Sequence, residues 1–321
     1  MAPQERGETT KTPVSRVGNK TPILDILYEH FPLKYTRFID VFGGSGSVLL
    51  GKPVVDPFEV YNDFDRNLVN LFRCMKERTM AVIRELGFCT LNSRDDFMAI
   101  KKFLNNEEFD DPYLDEELKL TEIMLPAPEA KELKELHLRI TKDYNVRRAA
   151  MYLKSLRYSY ASRGESYASQ PFDIRKLFYL IQQLQKRMAN VVVENQDFET
   201  LIKHYDRPDA FFYLDPPYYS SEHMYEVEFG WDDHLRLQRT LRTMKGKFLL
   251  SYNDCPEIRE LYRDYSTMDF KRVHSMAQRF EAGKEFPELL IANYDLNDRT
   301  NQARQLSLFS FSKTRFSLFG K

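Results

Sequence analysis

The chain has 321 residues, a formal net charge of −1 and three cysteines. That length holds one large domain or two modest ones with ample core, and the near-zero charge excludes any global attraction to nucleic acid, so a basic surface must be local. Cys74, Cys89 and Cys255 lack metal-ligand spacing, no apolar run approaches the ~20 residues that cross a bilayer, and no signal peptide stands out; the expectation is a cytoplasmic protein with reduced thiols, no metal and no membrane contact.

Residues 1–12 are polar and read as a disordered tail. Thr21 to Phe31 then places Ile23, Leu24, Leu27, Tyr28 and Phe31 at helical spacing, with Pro22 tolerated in the first turn and Lys20 just ahead of the helix's positive end. Arg37 to Phe42 reads as a strand. Gly43-Gly44-Ser45-Gly46-Ser47 follows as a turn whose glycines let the backbone approach a ligand and present N–H groups to it, before the helical start Val48-Leu49-Leu50. About twenty residues on, Tyr61-Asn62-Asp63 is a second strand ending in an acid, placed to accept a pair of ribose hydroxyls. A dinucleotide turn would need a third glycine, which is missing. A phosphate loop, spelled by Gly46 to Lys52, fails because Pro53 stands where a metal-binding hydroxyl belongs and Val48 to Leu50 are apolar.

Asn67 to Lys76 continues as an amphipathic helix, and from about Met75 to Lys186 charged helical patterns dominate. Within that stretch Asn105 to Leu136 is strongly acidic and is broken by Pro126 and Pro128 into two helical pieces; it would repel phosphates and reads as an outward-facing insertion. Basic character returns at Arg139 to Lys176. There Arg157-Tyr158-Ser159-Tyr160-Ala161-Ser162-Arg163-Gly164 has no long apolar run and carries a turn glycine, so it is expected to be an exposed loop or hairpin. Arginine reads guanine bidentately, serine reads several base edges, and tyrosine wedges into a vacated stack. Arg157, Tyr158, Tyr160, Ser162 and Arg163 are therefore the candidate DNA contacts, against the plainer reading of a solvated basic face with core tyrosines.

Val191-Val192-Val193 is a short buried strand running into Asn195-Gln196-Asp197-Phe198, where Phe198 is either core or a stacking surface beside the Asp197 carboxylate. Phe211 to Leu214 is a second apolar strand, and it stops at Asp215-Pro216-Pro217-Tyr218 because neither proline donates to a sheet ladder. Asp215 thus falls at the carboxyl end of a strand, where open α/β sheets place ligands. The Pro216 carbonyl lacks a regular backbone partner, and Tyr218 supplies a ring. Two acceptors, a rigid turn and an aromatic face suit a planar amino group on a base. An exocyclic amine is a poor nucleophile because its lone pair is delocalised; acceptors on its two N–H groups draw the nitrogen towards tetrahedral geometry by position and electrostatics. Ser220 to Trp231 reads as a flap, and Lys247 to Asp254 as a further strand with a polar end.

Taken in chain order, these segments resemble the DNA adenine N6-methyltransferase (Dam) family. Arg16-Val17-Gly18-Asn19-Lys20 is similar to the family's N-terminal cofactor motif, usually W-A-G-G-K, with Arg16 where the family often has Trp and Asn19 replacing a Gly. Phe42 to Ser47 resembles the glycine loop, Asn62-Asp63 the ribose motif, Asp197-Phe198 the adenine-holding pair, Asp215 to Tyr218 the catalytic motif, and Arg272 to Ala292 the last motif. The resemblance implies a Rossmann-like α/β sheet with helices on both faces plus an inserted, mainly helical DNA-recognition domain. The expected division is 13–74 and 187–297 catalytic, 75–186 target recognition, and 298–321 a tail. It also implies S-adenosylmethionine held by Arg16, Asn19, Lys20, Phe42, Gly43, Gly44, Ser45, Gly46, Asp63, Asp197, Phe198 and Asp215. The implied substrate is a flipped adenine of double-stranded DNA at Asp215, Pro216, Pro217 and Tyr218, methylated by a monomer in a bacterial or phage-infected cell within a restriction-modification setting. The rival readings are a cytosine-N4 or RNA amino-methyltransferase, and a non-catalytic DNA-binding protein that keeps the cofactor fold.

After Asn297 periodicity ends, and Gln305-Leu306-Ser307-Leu308-Phe309 resembles the Q-L-x-L-F peptide by which bacterial proteins dock on the replication sliding clamp. The alternative is a tail that packs on its own domain through Phe311, Phe316 and Phe319. Replacing Leu308 and Phe309 by alanine is expected to abolish retention on an immobilised bacterial clamp, with methylation of free oligonucleotides unchanged. Absence of retention by the intact chain would leave the packing alternative.

Overall fold

Apolar runs become strands here and polar or proline-containing breaks end them. In a computed structural model, which describes residues 9–16, 18–87, 93–105, 113–143, 145–159, 166–167, 173–219, 229–273 and 285–298, the order begins α1 (Leu24–Glu29), β1 (Arg37–Asp40), α2 (Ser47–Gly51), β2 (Phe58–Asn62), α3 (Arg66–Glu77) and α4 (Thr79–Leu86). It continues through α5 (Arg94–Leu104), α6 (Leu114–Met124), α7 (Ala127–Asp143), α8 (Val146–Tyr158) and α9 (Lys176–Met188). The last third holds β3 (Val191–Glu194), α10 (Phe198–Tyr205), β4 (Ala210–Leu214), α11 (Trp231–Arg242), β5 (Lys247–Asn253), α12 (Pro256–Leu261), β6 (Ser266–Val273) and β7 (Glu285–Ala292). Tyr160, Ser162, Arg163, the greater part of the expected flap and the tail peptide Gln305, Leu306, Leu308 and Phe309 lie outside the described residues.

Seven strands form one sheet in the order β3-β2-β1-β4-β5-β7-β6, the Rossmann-like α/β arrangement that the sequence implies. Strand β1 pairs parallel with β4, β4 parallel with β5, and β7 antiparallel with both β5 and β6. The chain leaves β1 towards one edge and returns at β4 towards the other, so the order reverses between β1 and β4. Open sheets bind ligands at the carboxyl ends of the strands flanking such a reversal; Phe42 and Asp215 follow those two ends.

The chain forms two compact units that interleave in sequence. The sheet unit comprises residues 20–42, 55–60 and 197 onward. Its β4 is buried along its whole length, and Phe31 of the chain after α1 packs against Phe211 with ring centroids 5.3 to 4.7 Å from its two nearest aromatic neighbours, Tyr28 and Phe211 respectively. Burial on both faces explains why Phe211 to Leu214 reads as a continuous apolar run rather than an alternating one.

The helical unit comprises residues 1–19, 43–54 and 61–196. Helix α8 packs on α3, α4 and α5, while α9 packs on α2, α3 and α4. The acidic insertion forms the α6–α7 pair, parted at Pro126, with Pro128 accommodated in the first turn of α7. Of the expected buried strand β3, only Val191 is buried: β3 is the edge of the sheet, so its other residues stay half-exposed. A reciprocal pair ties α3 to the start of α8. The Asn70 amide donates to the Asn145 carbonyl at 2.9 Å and accepts from the Asn145 N–H at 2.8 Å, while the Asn145 side chain caps α8 by accepting from the Arg148 N–H. Asn70→Ala strands both backbone groups, and a loss of roughly 1–3 kcal/mol in urea unfolding is expected; an unchanged midpoint would show that the pair carries no stability.

Candidate active site

Where β4 ends, a chain of polar side chains is assembled within the sheet unit. The Lys20 ammonium, its side chain only 4% exposed, forms a salt bridge of 2.8 Å with Oδ1 of Asp215. The Ser251 hydroxyl, from the parallel neighbour β5, donates to the same Oδ1 at 2.8 Å. Burial and the charge of Asp215 push the Tyr213 phenol well up, so it stays protonated and donates to Ser251 Oγ at 3.2 Å. Lys20 also donates to the Tyr218 hydroxyl at 2.9 Å, and that hydroxyl donates to Oε2 of the buried Glu288 on β7 at 3.1 Å. Pro216 is buried and Pro217 half-buried between these anchors, and their fixed φ holds Asp215 and Tyr218 at a set separation along the chain. Lys20 is thus no solvated lysine ahead of a helix.

Asp197 caps α10 rather than ending a strand: it accepts from the Glu199 N–H at 3.0 Å. Its two oxygens also take a forked pair from Arg236 of α11 at 2.8 and 2.9 Å, a geometry that adds direction to charge. Hydrogen bonding to Asp197 raises the Arg236 pKa further above its ordinary value. The same guanidinium lies 4.1 Å from the centroid of Phe198, which is 5% exposed and packs with Phe42 and Phe229 at 5.8 and 5.9 Å.

In the helical unit, the turn after β1 is shaped by close approach. A Cβ on Gly43 would stand 2.4 Å from the Tyr61 ring and 2.9 Å from the Asn62 carbonyl, and Gly46 adopts φ +71° at the start of α2. The Gly44 N–H donates to Oδ2 of Asp63 and the Asp65 N–H to Oδ1, both at 2.9 Å. The Tyr61 hydroxyl bonds the Gly44 carbonyl, and Thr12 bonds the carbonyl of the buried Ser45. Burial, reinforced by the neighbouring Asp65, raises the Asp63 pKa although Arg16 and the two amides pull it down.

Arg16 and Asn19, expected together at the cofactor, also make local contacts within this unit. Arg16 donates to Oδ2 of Asp65 at 2.7 Å and to Tyr152 at 3.1 Å, and Tyr152 donates to that same Oδ2. Asn19 closes a turn on the Arg16 carbonyl across Gly18. The reason is that Asp65 caps α3, its Oδ1 accepting from Asn67 and Leu68, and a buried carboxylate needs a counter-charge.

Arg157 and Tyr158 require a correction. Both belong to the last turn of α8 instead of an exposed loop. Tyr158 is 1% exposed, and Arg157 donates to the Pro13 carbonyl at 2.6 Å, its pKa lowered by burial. The helix continues because Leu153 and Leu156 keep its apolar stripe facing the core through that turn. Immediately after the helix, Ser159 is bridged antiparallel to Tyr167.

Residues 17–276 match the family described as D12 class N6 adenine-specific DNA methyltransferase. The chain belongs to this family. It is a DNA adenine methyltransferase, an enzyme rather than a non-catalytic binding protein, and the N6 class separates it from the cytosine and RNA rivals. It is 25% identical over 297 residues to the type II methyltransferase M1.LlaDCHI of Lactococcus lactis subsp. cremoris, covering 86% of this chain and 93% of that protein. It is 27% identical over 114 residues to the type II methyltransferase M.CviBI of Paramecium bursaria Chlorella virus NC1A, covering 33% of this chain and 43% of that one. No helix among the described residues of the methyltransferase is long and apolar enough to cross a membrane.

Three residues at this enzyme's polar clusters have no local signal: Arg236 is indistinguishable from the solvated face of an amphipathic helix, Tyr152 from core, and Glu288 from the start of an apolar strand. Ser251 could be found, because it stands in a strand whose end is polar. The Asp65 lock gives a pH signature. Burial alone would raise the Asp65 pKa, yet the Arg16 charge and the Tyr152 and Arg16 hydrogen bonds bring it below the usual value. Its stabilisation is therefore present above the unfolded pKa, about 4, and is lost as pH falls through the lower folded value. Asp65→Asn keeps a capping side chain but is expected to cost roughly 1.5–3 kcal/mol at neutral pH, with the gap to the parent closing in acid. Thermal melts across pH check this, and a gap independent of pH would refute the ionic account.

Proposed function

We propose that this enzyme takes S-adenosylmethionine as methyl donor and acts on an adenine flipped out of double-stranded DNA, with Asp215, the Pro216 carbonyl and Tyr218 receiving the base. The observation that carries the reading is Asp215 Oδ1 held by two donors, Lys20 and Ser251, at the carboxyl end of β4 beside a Pro-Pro turn. Those donors hold the carboxylate before any substrate arrives, so ordering it costs nothing during the reaction. Asp215 and the Pro216 carbonyl each accept one N–H of the target amine, which localises the nitrogen lone pair, and the Tyr218 ring covers the purine. Flipping costs a few kcal/mol of lost stacking and pairing, recovered in part on that ring.

The residues present fit the donor molecule in each unit taken by itself. Gly43, where no Cβ has room, and Gly44, whose N–H is turned onto Asp63, form a backbone cradle beside a half-buried carboxylate. Burial raises the pKa of that carboxylate, and further donors of the kind a ribose diol offers would relieve it. In the sheet unit, Asp197 and Phe198 offer a carboxylate and an aromatic edge to a purine, while Lys20 lies beside Asp215 and Phe42 packs on Phe198. S-adenosylmethionine supplies a methyl group made electrophilic by its sulfonium. Because both relatives are named type II methyltransferases, we assign the enzyme to the modification side of a restriction-modification pair.

Asp215→Ala is expected to lower the methyl-transfer rate by on the order of 10²–10³-fold while calorimetric titration still shows S-adenosylmethionine binding. Asp215→Asn should fail as well, because an amide offers one acceptor oxygen and sets a donor against the amine. Near-parental turnover by either variant would remove Asp215 from this role.

A further inference from the structure

Glu288 is a charged side chain in the middle of a sheet, 2% exposed, in the antiparallel strand β7. Carboxylates are almost never buried to that degree unless paired or strongly hydrogen-bonded. The register puts Glu288 opposite Asn253 and Leu290 opposite Ser251. Successive side chains alternate faces, so Glu288 shares a face of the sheet with Ser251, the residue that bonds Asp215. From there it accepts the Tyr218 hydroxyl at 3.1 Å, and Tyr218 in turn accepts from Lys20 at 2.9 Å. One buried ammonium thus stands between two carboxylates: it contacts Asp215 directly and reaches Glu288 through a phenol.

We infer that Glu288 is a positioning residue for methyl transfer: through the Tyr218 hydroxyl it fixes the ring on which the target adenine lies and balances the charge of Lys20. This rests on the roles proposed above for Asp215 and Tyr218. Two consequences follow from the hydrogen-bond directions. The Tyr218 proton is committed to Glu288, so its oxygen lone pairs face Lys20 and the ring is tethered at its far end. Lys20 then divides its attraction between Asp215 and the Tyr218–Glu288 pair. Asp215 keeps more negative charge on its oxygens, and with it more power to accept the N–H of the amine. The sequence alone hides this role, since Glu288-Leu289-Leu290-Ile291 reads as the opening of an ordinary core strand.

The test is a double-mutant cycle on the full-length enzyme with a duplex carrying its recognition sequence. Glu288→Gln keeps the shape and a hydrogen-bonding oxygen but removes the charge. It is expected to lower kcat by about tenfold or more, with the KM values for duplex and for S-adenosylmethionine nearly unchanged, because the contacts that bind both are retained. In a Tyr218→Phe background the same substitution should add little, since Glu288 acts through the hydroxyl. Glu288→Asp, which restores charge on a shorter stem, should recover part of the rate. A duplex with 2-aminopurine at the target position should show, for Glu288→Gln, fluorescence that reports a flipped base held less firmly against the ring.

Independent, multiplicative effects of Glu288→Gln and Tyr218→Phe would overturn the proposal, and so would a Glu288→Gln enzyme with the parental kcat. A loss of KM and thermal stability together, without recovery in Glu288→Asp, would assign Glu288 to folding alone and equally overturn it. The underlying reading of the site fails separately, through an active Asp215→Ala enzyme. If Asp215→Ala is inactive and Glu288→Gln is parental, only the role of Glu288 falls.

Discussion

A lysine ammonium buried to within a few per cent of complete inaccessibility, 2.8 Å from an aspartate at a strand end, is the interaction on which the sheet unit depends. An isolated charge in such a place is prohibitively costly, and removing one member of a buried pair leaves the other unpaired. The surroundings therefore have to be built for the pair. Ser251 supplies a second donor to Asp215, Tyr213 orients Ser251, and Tyr218 links the ammonium to Glu288. Strands β4, β5 and β7 each contribute at least one of these groups or lead directly into it, and the segment before α1 contributes the lysine. Stability and site geometry are hard to separate here because the same few bonds serve both.

The helical unit solves a parallel problem with different parts. Asp63 and Asp65 are neighbours at the end of β2, and the charge of Asp65 adds to burial in raising the Asp63 pKa. Arg16 and Tyr152 hydrogen-bond to Asp65, which also caps α3, and Asp63 takes its hydrogen bonds from the Gly44 and Asp65 N–H groups with the Arg16 charge nearby. The division separates a structural acid from one whose hydrogen bonds come from backbone amides. It explains why an arginine stands at position 16: its partner is a helix cap in its own unit.

Much of the fold is legible in the sequence where a residue type has a single backbone consequence. Pro216 and Pro217 can only end a ladder, Gly43 can only stand where a Cβ has no room, and the all-apolar Phe211 to Leu214 can only be a strand covered on both faces. Misreadings arise where one residue type serves two environments. Arg157 and Tyr158 look like loop residues beside serines and a glycine, yet the apolar stripe of α8 extends one turn further and draws both inward. Asp197 reads as a strand terminus but is a helix cap gripped by Arg236, a partner 39 residues away in sequence that no local pattern reveals. Glu288 is the extreme case, because its meaning depends wholly on which strand lies beside it.

Strand β7 follows β5 and β6 in the chain and, among the described residues, lies between them in the sheet. During synthesis β5 therefore emerges before its antiparallel neighbour, and until then that side of it is an open edge of unpaired backbone groups. Long-range pairings of this kind form slowly and only after the intervening chain has closed into a loop. Lys20 precedes Glu288 by most of the catalytic sequence, so it meets the Glu288 side of its network only after the intervening chain has been made. A product cut short before β7 thus carries Lys20 and the Asp-Pro-Pro-Tyr segment but lacks Glu288, the carboxylate that Tyr218 links to that lysine. An uncovered β5 of that kind is an edge open to pairing with another chain, so a product cut short before β7 is expected to aggregate rather than to fold.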